Sequence, residues 1–514
     1  MNRVTPPAIE LRGIDKWFGE VHANRDVSLA VGRGTIHGIV GENGAGKSTL
    51  MGILYGYYRP DRGEILVRGR PAAIGSARGA LAAGIGMVHQ HFMLVEPFTV
   101  LENVILGMEG GVRLGAGLAR ARAELERLGR EYHLETDPDA RVADLSVGQR
   151  QRVEILKALY RGAELLILDE PTAVLTPPEA HHLFRILASL RSEGKTVLLV
   201  THKLREIRAV TDVVTVMRQG RIVATLPTAE TTAEQLAELM VGRTVSLRVD
   251  KEPARPGDAV LEVTDLVVED SLGVERVKGV SLTVRRGEIV GVAGVAGNGQ
   301  SELLEALAGI RSPKSGRIRL KAGDLTDAAR SPRRLRQLGL SHVPEDRQRM
   351  GLIMPFAARE SAILGYHGEA TYNGVIRLRR AAVTASFDRQ VAEYDIRPGD
   401  GALLTSAFSG GNQQKIVLAR ELDRNPDLLL VGQPTRGVDI GAVEFIHRRL
   451  VALRDAGKAL LLVSVELDEI LALADRILVM HDGRIVGDMP RAAAAERTLG
   501  LLMAGVTEPQ ASPI

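Results

Sequence analysis

The sequence predicts an α/β fold of two tandem P-loop domains, each an α/β core with an inserted helical segment. Three observations predict it. A glycine loop, Gly41-Glu-Asn-Gly-Ala-Gly-Lys-Ser-Thr49, lies between an apolar run and a helical pattern. The same landmarks return once, about half a chain later. Short apolar runs alternate with helix-period segments in both halves, the pattern of buried parallel strands joined by helices.

The loop fits G-x-x-x-x-G-K-[ST] over Gly41, Gly46, Lys47 and Ser48. Thr35–Val40 before it reads as a buried strand, and Leu50–Tyr55 after it as a helix. That is the context the motif needs. Glycines let backbone N–H groups turn inward and cradle phosphate oxygens. The helix N-terminus adds a partial positive charge. Lys47 reaches the β- and γ-phosphates, and the Ser48 hydroxyl serves Mg²⁺. The loop residues Gly41, Glu42, Asn43, Gly44, Ala45, Gly46, Lys47, Ser48 and Thr49 are therefore the candidate nucleotide contacts.

With 514 residues, two or three domains are expected. A net charge of +3 does not call for a nucleic-acid partner. The absence of cysteine excludes disulfides, zinc ribbons and thiol catalysis, and suits a reducing compartment. Met1–Pro7 has no apolar core, so no secretory signal is expected. No apolar run approaches the length of a membrane span; Ala459–Val465 reads as a short buried strand.

The repeat is regular. Val27-Ser-Leu29 and Gly41–Leu50 return 253 residues later as Val280-Ser-Leu282 and Gly294–Leu303. Leu145-Ser-Val-Gly-Gln149 and Pro171-Thr172 return 263 residues later as Phe408-Ser-Gly-Gly-Asn412 and Pro434-Thr435. A repeat this long indicates two homologous domains rather than a solenoid. We expect domains at 8–245 and 259–507, joined by a polar, Pro- and Gly-rich linker at 246–258. Helical insertions are expected at 101–157 and 361–420. Gln149–Arg161 reads as a helix with Val153, Leu156, Leu159 and Tyr160 on one face.

Leu165-Leu-Ile-Leu-Asp-Glu-Pro-Thr172 is an apolar strand ending in two carboxylates. Asp169 is placed to serve Mg²⁺, through water. Glu170 is placed to orient an attacking water at the terminal phosphate. With these residues in view, a resemblance becomes specific. Leu145–Gln149 resembles the signature loop of ABC-type ATPases. Gln90 matches that family's Q-loop, Ala173-Val-Leu-Thr176 its D-loop and His202 its switch histidine. Trp17 or Phe18 stands where an aromatic stacks on adenine, Phe18 being the candidate carried forward. The resemblance spans residues 8–507. It implies two tandem ABC ATPase domains with ATP and Mg²⁺ as cofactors. It implies that Lys47, Ser48 and Thr49 hold phosphate and Mg²⁺. Gln90 would link Mg²⁺ and water to a membrane partner, and His202 would hold the γ-phosphate.

The second half is depleted. Gln300 stands for Lys47, Gly432 and Gln433 for Asp169 and Glu170, Val465 for His202 and Glu345 for Gln90. Its glycine frame survives, so nucleotide binding is open there while hydrolysis is not expected; one lost charge-stabilising group already costs roughly 10²–10³-fold. Its signature loop, Phe408-Ser-Gly-Gly-Asn-Gln-Gln414, is intact. The resemblance implies a head-to-tail sandwich. One composite site would combine Lys47, Asp169, Glu170 and His202 with Ser409, Gly410, Gly411 and Gln413.

Val343-Pro-Glu-Asp-Arg347 and Pro434-Thr-Arg-Gly-Val-Asp439 resemble bacterial importers of monosaccharides and nucleosides. Gln433–Gly437, Gly86–Leu94 and Glu444–Arg449 tilt the resemblance to nucleosides, with a ribose- or galactose-type importer as the alternative. The implied partners are two transmembrane permease subunits and, through them, an extracytoplasmic substrate-binding protein; cargo does not touch this chain. The implied location is peripheral, on the cytoplasmic face of the inner membrane. His89–Pro97 and Pro344–Leu352 are the candidate permease-docking surfaces, with Arg347, Arg349 and Arg333-Arg334 as candidate docking charges. A soluble tandem ATPase acting on ribosomes is the rival of a different class. It would be expected to keep two working sites and a long charged linker. A regulatory ATP binder without turnover is disfavoured by Asp169, Glu170 and His202 together.

Overall fold

The computed structural model describes residues 6–89, 93–108, 114–172, 175–244, 249, 251–321, 323–325, 331–374 and 376–506. The chain divides into two compact units, Met1–Val245 and Ser246–Ile514.

The first unit is built on a six-stranded sheet. Its order is Arg221–Pro227, Val213–Arg218, Ile36–Gly41, Thr196–Val200, Leu165–Asp169 and Ile85–Val88. The last five are parallel, and Arg221–Pro227 pairs antiparallel at the edge. The central strands are buried along their whole length, which is why they read as continuous Val, Ile and Leu runs rather than alternating ones. Ile36–Gly41, Thr196–Val200 and Leu165–Asp169 are neighbours. Their carboxyl ends therefore bring the glycine loop, Thr201-His202 and Asp169-Glu170 to one edge, where ligands of open parallel sheets bind. The expected helical insertion contains Val100–Ile105, Leu114–Tyr132 and Val147–Tyr160. Thr99 caps the first of these, exchanging hydrogen bonds with Glu102.

A second, antiparallel sheet was not foreseen: Val21–Val31, Ile9–Phe18, Arg62–Val67 and Arg70–Pro71. Its signal is broken because the register of Ile9–Phe18 shifts between Leu11 and Ile14 and again before Lys16. A bulge flips the inward face, so period-two alternation does not persist.

The second unit repeats the plan. Its main sheet runs Leu340–Val343, Leu428–Gly432, Ala459–Ser464, Ile289–Ala293, Arg476–His481 and Arg484–Pro490. Its antiparallel sheet runs Glu275–Arg285, Ala259–Glu269, Ser315–Leu320 and Gly323–Asp324. The insertion here carries Arg380–Tyr394 and Gly410–Leu422. The stretch read as a free linker is partly anchored: Lys251 Nζ donates to Leu473 O at 2.7 Å and Ala474 O at 2.9 Å, and pairs with Asp475 at 2.7 Å. Among the described residues, no helix is long and apolar enough to cross a membrane.

Candidate functional site

The glycine loop of the first unit is fixed from several sides. Gly46 closes it at φ 96°, a left-handed conformation, and caps the helix Lys47–Leu54. A Cβ there would collide with the Ala23 carbonyl, so only glycine fits. Asn24, fully buried, donates to Gly46 O at 3.1 Å. Gly220 N donates to Ala45 O at 3.1 Å. Asn24 was not singled out in the sequence, where nothing local ties it to the glycine loop.

Lys47 is buried, and its ammonium donates to Gly41 O at 2.7 Å and Glu42 O at 3.0 Å. Burial pulls its pKa down, while Glu170 and then Asp169 act to hold the charge. Asp169 ends its strand and is pushed up to about 6, chiefly by burial and then by Glu170, with Lys47 opposing. Burial, the leading cause for both, disfavours the charged form of Lys47 and of Asp169. Ser48 is exposed in the first helical turn, beside Lys47.

Glu170 stands at φ 49°, and its N–H donates to Val200 O at 2.8 Å. That unusual backbone turns its side chain off the strand end, where His202 Nδ1 lies 2.8 Å from Glu170 Oε1. The Thr201 hydroxyl lies 3.4 Å from the other oxygen. The structure therefore brings His202 to Glu170. A buried hydrogen bond from Thr172 to Glu206 ties the following turn to the helix Leu204–Val210. Sequence reasoning missed this brace, because Glu206 lies outside every motif and 34 residues from Thr172.

Phe18 is the more exposed of the two candidate rings, with the Lys16 ammonium 5.5 Å from its centroid. Trp17 is stacked on His22 at 4.0 Å between centroids, whereas Phe18 is 43% exposed at the end of its strand, edge-on to Tyr58. Gln90 and the D-loop residues Ala173-Val174 lie outside the described residues.

In the second unit, Ser409 is the N-cap of Gly410–Leu422, accepting from Asn412 N at 3.4 Å and Asn412 Nδ2 at 2.9 Å. Its hydroxyl proton stays available to an acceptor outside. Gly410 and Gly411 are required by close approach: a Cβ would meet Arg347 Nη2 at 2.6 Å and Asp439 Oδ2 at 2.8 Å, respectively. Gln413 is 3% exposed, and its amide nitrogen donates to Phe408 O at 2.9 Å and Thr405 O at 3.4 Å, so it holds the loop in shape. Arg347, a candidate docking charge, also turns inward, donating to Arg436 O at 2.6 Å and Gly437 O at 3.3 Å.

The fit to ATP and Mg²⁺ is good in the first unit. The loop, a buried lysine and an exposed serine suit a polyphosphate. Among the described residues no group of three or more His, Cys, Asp and Glu could hold a metal alone. Mg²⁺ does not need one, since one or two protein oxygens, phosphates and waters complete its shell.

The ABC transporter family model matches residues 24–173 and 277–436. The chain is 48% identical to the nucleoside import ATP-binding protein NupA of Lactococcus lactis, covering 97% of this chain and 98% of that one. It is 48% identical to the guanosine import ATP-binding protein NupO of Bacillus subtilis, covering 98% of each. It is 44% identical to the glucose import ATP-binding protein TsgD13 of Haloferax volcanii, covering 97% of this chain and 96% of that one.

Proposed function

The chain belongs to the ABC transporter family of ATP-binding proteins, and on that premise we propose that it is the ATP-hydrolysing subunit of an importer whose cargo is a nucleoside. Relatives named for nucleoside and guanosine import, each 48% identical over nearly the whole chain, carry the cargo reading. A relative named for glucose import, at 44%, keeps a monosaccharide as the second reading.

Turnover is assigned to one site. The loop amides and Lys47 take the phosphates, and the Lys47 ammonium exchanges Gly41 O and Glu42 O for phosphate oxygens. A Mg²⁺ ion served by Ser48 and Asp169 supplies the neutralising charge. Glu170 orients the attacking water and receives its proton, held in place by His202 and Thr201. Gln90 senses the occupancy of this site. Phe18 stacks on the base. Ser409, Gly410 and Gly411 are the proposed signature residues of the reaction.

The partners that follow are two permease subunits, reached through His89–Pro97 and Pro344–Leu352, and an extracytoplasmic binding protein beyond them. The chain acts as a peripheral subunit at the cytoplasmic face of the membrane. The test is uptake. Cells lacking this chain are given it unaltered or as Lys47→Ala and fed labelled uridine, adenosine, ribose and glucose. Nucleoside uptake restored only by the unaltered chain is the expected result. Restoration of a sugar instead overturns the cargo, and no dependence on Lys47 overturns the transport role and turns attention to ribosome sedimentation.

A further inference from the structure

We propose that the first unit carries a binding site for a small organic phosphate, set between the helices Val147–Tyr160 and Pro177–Ser192, with Arg152, His182 and Arg185 as the seat of the phosphate.

A cavity of about 340 Å³ lies between these helices. It is at the small end of ligand-binding pockets, and an apolar cavity of roughly 150 Å³ already admits benzene. Its lining is of two kinds. Ile155, Leu183 and Ile186 are buried apolar side chains. Arg152, His182 and Arg185 bring positive charge and N–H donors. Arg152 lies about 9 Å along its helix from Ser146, so this seat is separate from the signature hydroxyl.

The donors lack acceptors. Arg185 Nη2 donates to His182 Nδ1 at 3.1 Å. An arginine cannot accept, so His182 Nε2 carries the imidazole proton. That N–H is buried without a hydrogen-bond partner, and so is the Nε–H of Arg152. Among the described residues Arg152 has neither a hydrogen bond nor an ion pair. One carboxylate lines the cavity, Glu179, and its Oε2 is engaged in the helix cap, accepting from Thr176 N and Oγ1 at 2.9 Å each. Burial holds the His182 imidazole below its ordinary pKa; the charges of Arg152 and Arg185 lower it further, with Glu135 opposing and His133 adding. A buried donor without an acceptor is costly. A phosphate supplies several acceptor oxygens and negative charge together, and it suits the planar guanidinium. The apolar side chains take the organic body.

The second unit treats the same place differently. At the offset of 263 residues, Lys415 stands for Arg152, Phe445 for His182 and Arg449 for Ile186. Lys415 Nζ donates to Asp395 O at 2.7 Å and lies 5.3 Å from the centre of the Phe445 ring. Arg449 Nη2 donates to Glu393 O at 2.7 Å, and its guanidinium lies 5.4 Å from the same ring. The cations of the second unit are thus satisfied by its own chain, whereas Arg152 is left for a ligand.

The experiment is a calorimetric titration of the full chain with phenyl phosphate, in saturating ADP and Mg²⁺ so that nucleotide sites are occupied. One phenyl phosphate per chain is expected. Phenol, the same ring without the anion, should bind roughly tenfold or more weakly, the scale of a hydrogen bond to a charged group. Arg152→Gln and His182→Phe, the latter carrying the second unit's residue, should each weaken phenyl phosphate by a similar factor. Both should keep the ADP affinity of the unaltered chain, which shows that the unit is folded. No binding of phenyl phosphate, binding unchanged in both variants, or phenol binding as tightly overturns the proposal. Benzoate binding more tightly than phenyl phosphate overturns the phosphate head.

Discussion

Glu170 and Gln433 stand on the same backbone. Glu170 has φ 49° and Gln433 has φ 45°. Each N–H donates at 2.8 Å to the neighbouring strand, Glu170 to Val200 O and Gln433 to Val463 O. A left-handed conformation at a non-glycine residue costs roughly 1–2 kcal/mol, and both units carry it. Yet Glu170 reaches His202, whereas Gln433 Oε1 accepts from the Val465 amide at 3.3 Å, where no imidazole exists. The comparison separates two properties that one motif usually joins. Backbone geometry gives a place for phosphate, and side chains give turnover. The first unit has the backbone frame and the side chains, and the second has the frame with Gln433 in place of the carboxylate.

The sharpest break of this contrast is the base. Glu170→Gln is expected to lower ATP turnover by roughly 10²–10³-fold or more, and Gln433→Ala by less than about threefold. Equal losses in a steady-state phosphate-release assay would end the asymmetry.

Gly46→Ala comes next. Its Cβ would run into the Ala23 carbonyl at a φ that L residues avoid. Nucleotide affinity of the first unit should fall at least tenfold in a fluorescent-nucleotide titration, with the fold of the unit intact by circular dichroism.

The third lever is pH. Burial and the neighbouring Glu170 push the Asp169 carboxyl up to about 6 in the folded chain, from an ordinary value of 3.8. Between these values the folded state holds a proton that the unfolded state has released. The contribution of this carboxyl to stability is therefore favourable at low pH and is lost as pH rises through about 6. A divalent cation reverses the preference by favouring the ionised form. Binding of Mg²⁺ with nucleotide near pH 6 should therefore release a proton. Calorimetry in buffers of different ionisation enthalpy reads it, and Asp169→Asn should lower the number of protons released, the remainder coming from the nucleotide's terminal phosphate, which titrates in the same range. The same number of protons from both chains would remove Asp169 from the metal.

The smallest effect belongs to the base-stacking end. Phe18→Ala should cost about 1 kcal/mol, the low end for base–aromatic stacking. Leu272, 84% exposed in the corresponding hairpin of the second unit, should tolerate Ala with no change in ATP affinity at the first site.

Much of the site was legible because each functional group sits in a short run whose order is fixed: a glycine loop after a strand, two carboxylates at a strand end, a histidine after the next strand. Continuous apolar runs likewise gave the parallel sheets. What escaped reading was contact between distant segments. Asn24 on the Gly46 carbonyl, Thr172 on Glu206 and Glu345 under Gly432 leave no local pattern. The burial of Gln413 was likewise not legible, because exposed Ser409 and buried Gly411, Gln413 and Gln414 follow one another in one polar run. The antiparallel sheets escaped because bulges interrupt the alternation that announces a half-buried strand.

Arg347 gives the second unit a mechanical joint. Its guanidinium grips the carbonyls of Arg436 and Gly437 and lies against Gly410. Three pieces of chain meet at one planar, rigid fork: the segment after Leu340–Val343, the turn after Leu428–Gly432, and the turn that begins Gly410–Leu422. Packed interiors transmit displacement rather than absorb it. Gln348 Nε2 adds a second tie, donating to Gln413 Oε1 at 3.3 Å, so Pro344–Leu352 and the Ser409 turn are held as one piece. Arg347→Ala should leave nucleotide binding in place in a fluorescent-nucleotide titration while lowering ATP turnover.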